Sequence, residues 1–344
     1  MFQRLFKIDL DEVSGEQIEL KDKMRVPLVS IIIPVKPGGK ASALECVKWL
    51  DFPEDRLEVF VSEGTQPSRQ RNEAAMKAAG EIIYFLDDDS CPTPDALKRI
   101  VGHFEDEKVA VVGGPSITPE GDSVLQRTFG GALSSFLGGF SIRNRYRRIG
   151  KTRISSENEL ILCNLAFRKS SFIEEGGLNE RLYPNEENEL MNRLQEKGKK
   201  LIHDPDAYVL RSQRKTLIAF ARQMLNYGRG RAEQTLVSPS SFKPTHLAPT
   251  LFLLYLLSAL ILMNPLYLLP MGCYLLVNLF FSLWSGLTEK EWRFIYTLPP
   301  IYLFMHICYG AGMIWGLCRG MTGEVKAQSS VVVIKQMPVR CKIS

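Results

Sequence analysis

Histidine is scarce in this sequence, with four among 344 residues, and no two cysteines form a C-x-x-C pair. The seven cysteines, Cys46, Cys91, Cys163, Cys273, Cys308, Cys318 and Cys341, are scattered. That distribution argues against a zinc site and a disulfide framework, and it fits a reducing compartment. His203 reads as a satisfied structural side chain rather than a metal ligand. The start, Met1 to Val13, carries acidic residues where a secretory signal needs a continuous apolar core, so no such signal is expected. Pro37-Gly38-Gly39-Lys40 lacks the spacing of a P-loop, which removes a nucleoside-triphosphate role. The net charge is a modest +5. The basic residues come without an aromatic-rich nucleic-acid motif, and no nucleic-acid partner is expected. A local cluster, Arg143, Arg145, Arg147, Arg148 and Lys151, fits either anionic lipid headgroups or a solvated loop.

Charge is also missing from one long region. Before Pro244 charged and apolar segments alternate, whereas His246 to Cys318 is almost uncharged. Its apolar stretches, 247–263, 266–287 and 294–318, approach or exceed the roughly 20 residues that cross a bilayer core. Too little sequence remains to cover them as buried core helices. The chain therefore divides into a lead-in (1–27), a folded domain (28–236), a membrane region (237–318) and a basic tail (319–344). Three full crossings starting inside would put the tail outside. That tail carries Arg319, Lys326, Lys335, Arg340 and Lys342, against the positive-inside tendency. A break at Pro299-Pro300, or one segment lying in the interface, would resolve the conflict.

Within the folded domain, Val29 to Val35 is β-branched, apolar throughout and carries Pro34 near its end, as a buried strand does. A helix is expected over Ala41 to Leu50, a second strand over Leu57 to Val61, and a helix over Ser68 to Ala79, stopped at Gly80. Ile82 to Leu86 is a third strand that runs into Asp87-Asp88-Asp89. Thr93 and Pro94 are expected to cap and open the next helix, and Val109 to Val112 is a fourth strand. Such alternation indicates an α/β domain with a mainly parallel sheet. Ligands gather at the carboxyl ends of such strands, where Pro34, Glu63 and Asp87 to Asp89 converge. Beyond lie an apolar, glycine-interrupted segment over Ser123 to Phe140, a helix over Glu186 to Lys197, and an amphipathic helix over Thr216 to Leu236.

Three adjacent carboxylates after a buried strand repel one another, and a cation would explain their clustering. Mg²⁺ and Mn²⁺ favour one or two carboxylates together with substrate phosphate oxygens. The order Ser30 to Val35, then Asp87-Asp88-Asp89, then Asn185-Glu186-Glu187-Asn188-Glu189-Leu190 resembles the family 2 inverting glycosyltransferases of GT-A fold, over about residues 28 to 236. The segment Gln223 to Arg231, ahead of apolar helices, looks like the membrane-anchored succinoglycan-biosynthesis type.

That resemblance implies metal binding at Asp89 with Asp87. It implies nucleoside contacts from Asp87, Asp88, Pro34, Val35 and Glu63, with Arg71 of the Arg71-Asn72 pair on the donor side. The catalytic base falls at Glu187, where Asp is usual, or at Glu186. Gln223, Arg229 and Arg231 resemble a Q-x-x-R-W element that binds the diphosphate. The Arg-Trp pair is replaced here by Tyr-Gly-Arg-Gly-Arg, which favours one sugar per event over a processive synthase. Asn164 and Gly176-Gly177 resemble the acceptor-side wall.

The activity so implied moves a sugar from a nucleotide-sugar donor to a polyprenyl-linked saccharide or glycan. It needs Mg²⁺ or Mn²⁺ and operates among the lipids of the cell inner membrane, which the chain crosses more than once, with the folded domain in the cytoplasm. The alternative from another class is a scaffold that binds nucleotide sugar or glycan without turnover, motivated by Glu at both Glu63 and Glu187.

Overall fold

The computed structural model describes residues 26–262, 264–321 and 331–338. The expectation that no secretory signal is present falls on residues 1–25, outside that set, as do Lys326, Arg340 and Lys342. In chain order the strands are β1 (Val29–Val35), β2 (Leu57–Glu63), β3 (Ile82–Leu86), β4 (Cys91–Pro92), β5 (Val109–Gly113), β6 (Ser116–Ile117), β7 (Arg153–Ile154), β8 (Asn164–Arg168), β9 (Lys200–His203), β10 (Val209–Leu210) and β11 (Val333–Met337). The helices of the folded domain are α1 (Ala43–Val47), α2 (Pro67–Lys77), α3 (Ala96–His103), α4 (Val124–Ser134), α5 (Phe136–Gly139), α6 (Lys169–Glu174), α7 (Glu186–Glu196) and α8 (Leu217–Val237). The apolar region forms α9 (Ala248–Leu262), α10 (Leu268–Thr288) and α11 (Phe294–Met321).

The main sheet has the order β11-β2-β1-β3-β8-β5-β9-β7. Strands β2, β1 and β3 are parallel neighbours, and so are β5 and β9. Strand β8 runs antiparallel to both β3 and β5, while β7 and β11 are antiparallel at the two edges. The sheet is therefore mixed, which corrects the expectation of a mainly parallel one. Strand β8 is buried on both sides like its parallel neighbours, so its hydrophobic pattern carries no mark of direction. Helices cover both faces. Ile31, Ile33 and Tyr84 pack toward α1, α3, α4, α8 and α11, and Ile32, Ile83 and Phe85 toward α2, α6 and α7.

Two local expectations change. The helix expected at Thr93-Pro94 begins only at Ala96, because Cys91-Pro92 pairs with β10 as a short strand. A disulfide joins Cys46 of α1 to Cys91 of β4, Cα to Cα 5.2 Å apart, against the reading of cysteines with no disulfide framework. The backbone N–H of Ala43 donates to the Asp88 carbonyl. This contact brings two cysteines together that lie 45 residues apart in sequence.

The apolar helices do not behave alike. Within the span that includes α9, 6% is buried, and for α10 the figure is 11%; for α11 it is 39%. Helix α11 lies along α8 at backbone contact. A Cβ on Gly228 would stand 2.1 Å from the Tyr309 carbonyl oxygen, and one on Gly312 the same distance from that of Leu225. Arg319 pairs with Glu233 at 3.2 Å, and the Arg229 guanidinium lies over the Trp315 ring. Helix α11 also runs unbroken through Pro299 and Pro300, where Asn278 of α10 donates to the Pro299 carbonyl.

Candidate active site

Strands β1, β2 and β3 end side by side, with Val35 opposite Glu63 in register. The triplet follows β3 directly, and α1 holds it: Ser42 Oγ and the Ala43 N–H both donate to the Asp88 carbonyl. Asp87 meets two guanidiniums, Arg71 Nη2 at 2.7 Å and Arg211 Nη2 at 3.0 Å. Burial opposes its charge, but Arg211, Arg71 and Arg214 outweigh burial and hold the carboxyl below its ordinary range. Asp88 moves the other way, raised by burial and then by Asp89 and Asp87. Asp89 accepts from Arg211 Nε at 2.6 Å.

The second acidic element opens α7. Tyr183-Pro184 is cis, and Asn185 adopts φ 87°, a left-handed conformation that asparagine tolerates. Asn188 Nδ2 donates to Asn185 Oδ1 and Arg145 Nη2 to Asn188 Oδ1, which fixes this turn. Acidic residues in a first helical turn also suit the helix dipole. Glu186 and Glu187 are nonetheless both buried and both face a cavity. Glu186 lies 3.7 Å from Arg71, so that one guanidinium links the triplet to this turn. Burial, and then the charge of Glu187, push the Glu186 carboxyl up to about 8. The pair therefore favours retaining a proton near neutrality. Glu187 lies 4.0 Å from Arg145 Nη1.

The cavity measures 1160 Å³ and joins these elements. Pro34, Val35, Arg71 and Asp87 to Asp89 line one end, Glu186 and Glu187 a side wall, and Phe136, Leu137, Phe252, Tyr274, Met305 and Tyr309 an apolar, helix-built part. Of the residues expected to act as base or to bind donor, metal or diphosphate, three are absent from the lining. Glu63 turns away, accepting from the Gly38 N–H and lying 3.5 Å from Lys335 Nζ. Gln223 is held between Arg214 and the Tyr227 hydroxyl. Arg229 donates to the Tyr183 carbonyl and covers Trp315. Of the expected diphosphate set, Arg231 alone reaches the cavity. Asn164, expected in the acceptor wall, is fully buried and bonds Tyr84 and the Ala207 carbonyl. Gly176 and Gly177 form a turn with positive φ that packs on Asn72.

The structure adds Arg211, Arg214 and Arg145 to the lining. Arg211 and Arg214 lie in a loop with no periodic pattern, and no sequence signal marks them. Arg145 belongs to a basic cluster expected at lipid headgroups or in a solvated loop. It is instead buried, donating to the carbonyls of Asn158 and Glu157.

Among the described residues no three His, Cys, Asp or Glu side chains converge as a ready-made metal cage. The carboxylates of Asp87 and Asp89 still suit a hard cation that takes its other ligands from substrate phosphates. The Arg211 guanidinium contacts both, so a cation using them must displace it.

A family model described as glycosyl transferase family group 2 matches residues 82–314, about two thirds of the chain. The pre-mycofactocin glycosyltransferases of two Mycobacterium tuberculosis strains are 27% identical over 180 residues, 52% of this chain. The alignment spans 37% of the length of those relatives. Among solved structures, the mannosyltransferase PcManGT from Pyrobaculum calidifontis, in complex with GDP-Man and Mn²⁺, superposes with a TM-score of 0.53 at 18% identity. That likeness covers 86% of this chain and 88% of the other, and it supports the GT-A fold. By the extent of the family match, the chain is a member of glycosyl transferase family group 2.

Proposed function

We propose that this protein transfers one sugar, with inversion, from a nucleotide-sugar donor to a lipid-linked saccharide or glycan at the cytoplasmic face of the inner membrane. The observation that carries this reading is the continuous cavity. It runs from the acidic triplet, past the Glu186–Glu187 pair, to a wall of membrane-helix side chains. The nucleoside lies over Pro34 and Val35, with Arg71 behind it. Arg211 and Arg214 face the diphosphate with charge-assisted donors. Bound to Asp89 and Asp87, Mg²⁺ or Mn²⁺ would supply positive charge to the departing diphosphate.

Glu187 takes the proton from the acceptor hydroxyl as that oxygen forms its bond to the anomeric carbon. The bond from that carbon to the diphosphate breaks on the opposite face, and the nucleoside diphosphate leaves with the electron pair. Glu186, whose carboxyl burial and Glu187 push toward the protonated form, serves to position its neighbour. Assembly of a cell-surface or extracellular polysaccharide, as in the succinoglycan type, is the pathway class that best suits a single-sugar enzyme with this acceptor.

The tail bears on how the chain meets the membrane. Strand β11 pairs with β2, Val333 opposite Glu63, which supports a tail on the same side of the membrane as the folded domain. Complete crossings are therefore even in number. The helical spans Pro244–Leu262 and Pro265–Thr288, of 19 and 24 residues, reach about 28 and 36 Å and can form an outward-and-return pair. Helix α11, packed on α8, stays at the boundary.

The test of the reaction is transfer from a panel of nucleotide sugars to membrane lipid extract, with the product's anomeric configuration read by NMR. Retained configuration, or no product under any donor with metal present, would count against the proposal.

A further inference from the structure

Arg231 differs from the other arginines of the cavity in being buried without a carboxylate partner; Arg214 also bonds a neutral amide, that of Gln223, but is exposed. Arg71 and Arg211 are neutralised by Asp87 and Asp89, and Arg145 lies beside Glu187. Arg231 is 5% exposed, and among the described residues no carboxylate pairs with it. Its Nη1 donates to the neutral Gln234 amide at 2.9 Å. Its other neighbours are the Tyr309 hydroxyl of α11 and the His246 ring just ahead of α9. A guanidinium withdrawn from water without a counter-charge costs several kcal/mol. Arg231 lines the cavity, through which an anion can reach it.

The surroundings identify that anion. Arg231 has no contact with the acidic triplet. Its part of the cavity is walled by Ala248, Pro249, Phe252 and Tyr309, at the heads and flanks of the apolar helices. A buried cation beside an apolar wall of membrane helices suits a phosphate ester whose other end is a hydrocarbon chain. We infer that Arg231, with Tyr309 and His246, binds the phosphate or diphosphate of a lipid-linked acceptor rather than the donor diphosphate. This deepens the proposed function and rests on it. The acceptor then belongs to the phosphate-linked lipids rather than the neutral glycolipids. Its phosphate would be held by the helix wall, with the sugar hydroxyl directed toward Glu187.

The experiment uses the full chain in neutral detergent and three probes: farnesyl diphosphate, farnesol and inorganic pyrophosphate. Each is titrated by microscale thermophoresis against the unaltered protein, Arg231→Gln and Arg231→Lys, and nucleoside-diphosphate binding is measured on the same samples. The expected result is that farnesyl diphosphate binds about tenfold or more tighter than either other probe. Arg231→Gln should reduce it to the level of farnesol, and Arg231→Lys should keep part of the difference. Nucleoside-diphosphate binding should persist in both variants, which also shows that they fold. The inference is overturned if the farnesyl diphosphate advantage survives Arg231→Gln. It is equally overturned if pyrophosphate alone binds as tightly, or if nucleoside-diphosphate affinity falls in parallel. Failure of the unaltered protein to bind any nucleoside diphosphate would instead strike the proposed function itself.

Discussion

The Glu186–Glu187 pair allows two substitutions of equal size to be set against each other. With its carboxyl raised from the ordinary 4.5 to about 8 by burial and by Glu187, Glu186 favours the protonated form at pH 7 and loses it as pH rises past about 8. Glutamine is a permanent copy of the protonated form. Glu186→Gln should therefore leave kcat/KM at pH 7 within about threefold, whereas Glu187→Gln removes the base and should cost 10²- to 10⁴-fold, as a positioned general base typically contributes. Above pH 8 the unaltered enzyme gains a second buried negative charge beside Glu187 and Asp87, and its rate should fall. Glu186→Gln should lack that alkaline decline. Stability follows the same proton. A carboxyl raised on folding contributes stability that is complete below the unfolded value of 4.5 and is lost as pH climbs through about 8. The slope is at most about 1.4 kcal/mol per pH unit. Thermal unfolding between pH 5 and 9 should thus decline with pH in the unaltered protein and be flatter in Glu186→Gln. The assays are nucleoside-diphosphate release across pH and a melting series. An inactive Glu186→Gln beside an active Glu187→Gln would refute the assignment and make Glu186 the base.

Other expectations follow from single contacts. Arg211→Gln frees the carboxylates of Asp87 and Asp89, so Mn²⁺ should bind more tightly in the absence of nucleotide, measured by electron paramagnetic resonance; unchanged or weaker binding would separate Arg211 from the cation. Gly312→Leu places side-chain atoms where a Cβ already stands 2.1 Å from the Leu225 carbonyl oxygen. It should cost about 1–3 kcal/mol as an overpacked contact, seen as a lower melting temperature in detergent. A reporter fused to the C-terminus should share the side of one fused to the N-terminus in protease-protection assays on membrane vesicles. Opposite sides would mean an odd number of crossings and would exclude the β11–β2 pairing.

What the sequence made legible was local. The apolar runs of β1, β3 and β5, the acidic triplet at the end of β3, the acidic turn of α7 and the three apolar helices all stand where their residue patterns place them. What it hid depends on contacts between distant segments. The direction of β8 depends on pairing across the sheet, not on periodicity. The tail strand β11 is different: the β-branched run Val331 to Ile334 marks it locally, and only its partner β2 is set by a distant contact. Arg211 reaches the triplet from more than a hundred residues away. The notable misplacements were Glu63 and Arg229. Both have the residue type that donor binding needs, but the Gly38 N–H and the Tyr183 carbonyl claim them instead.

The most direct measurement is nucleoside-diphosphate release by the purified, detergent-solubilised protein across a panel of nucleotide sugars. Each donor is run with Mn²⁺, with Mg²⁺ and with EDTA, with membrane lipid extract as acceptor, beside Asp89→Asn and Glu187→Gln. The account predicts release with one donor that depends on metal and acceptor and is lost in both variants. Release that persists in EDTA and in Asp89→Asn would contradict the metal assignment. Absence of both release and donor binding from the unaltered protein would contradict the transferase itself.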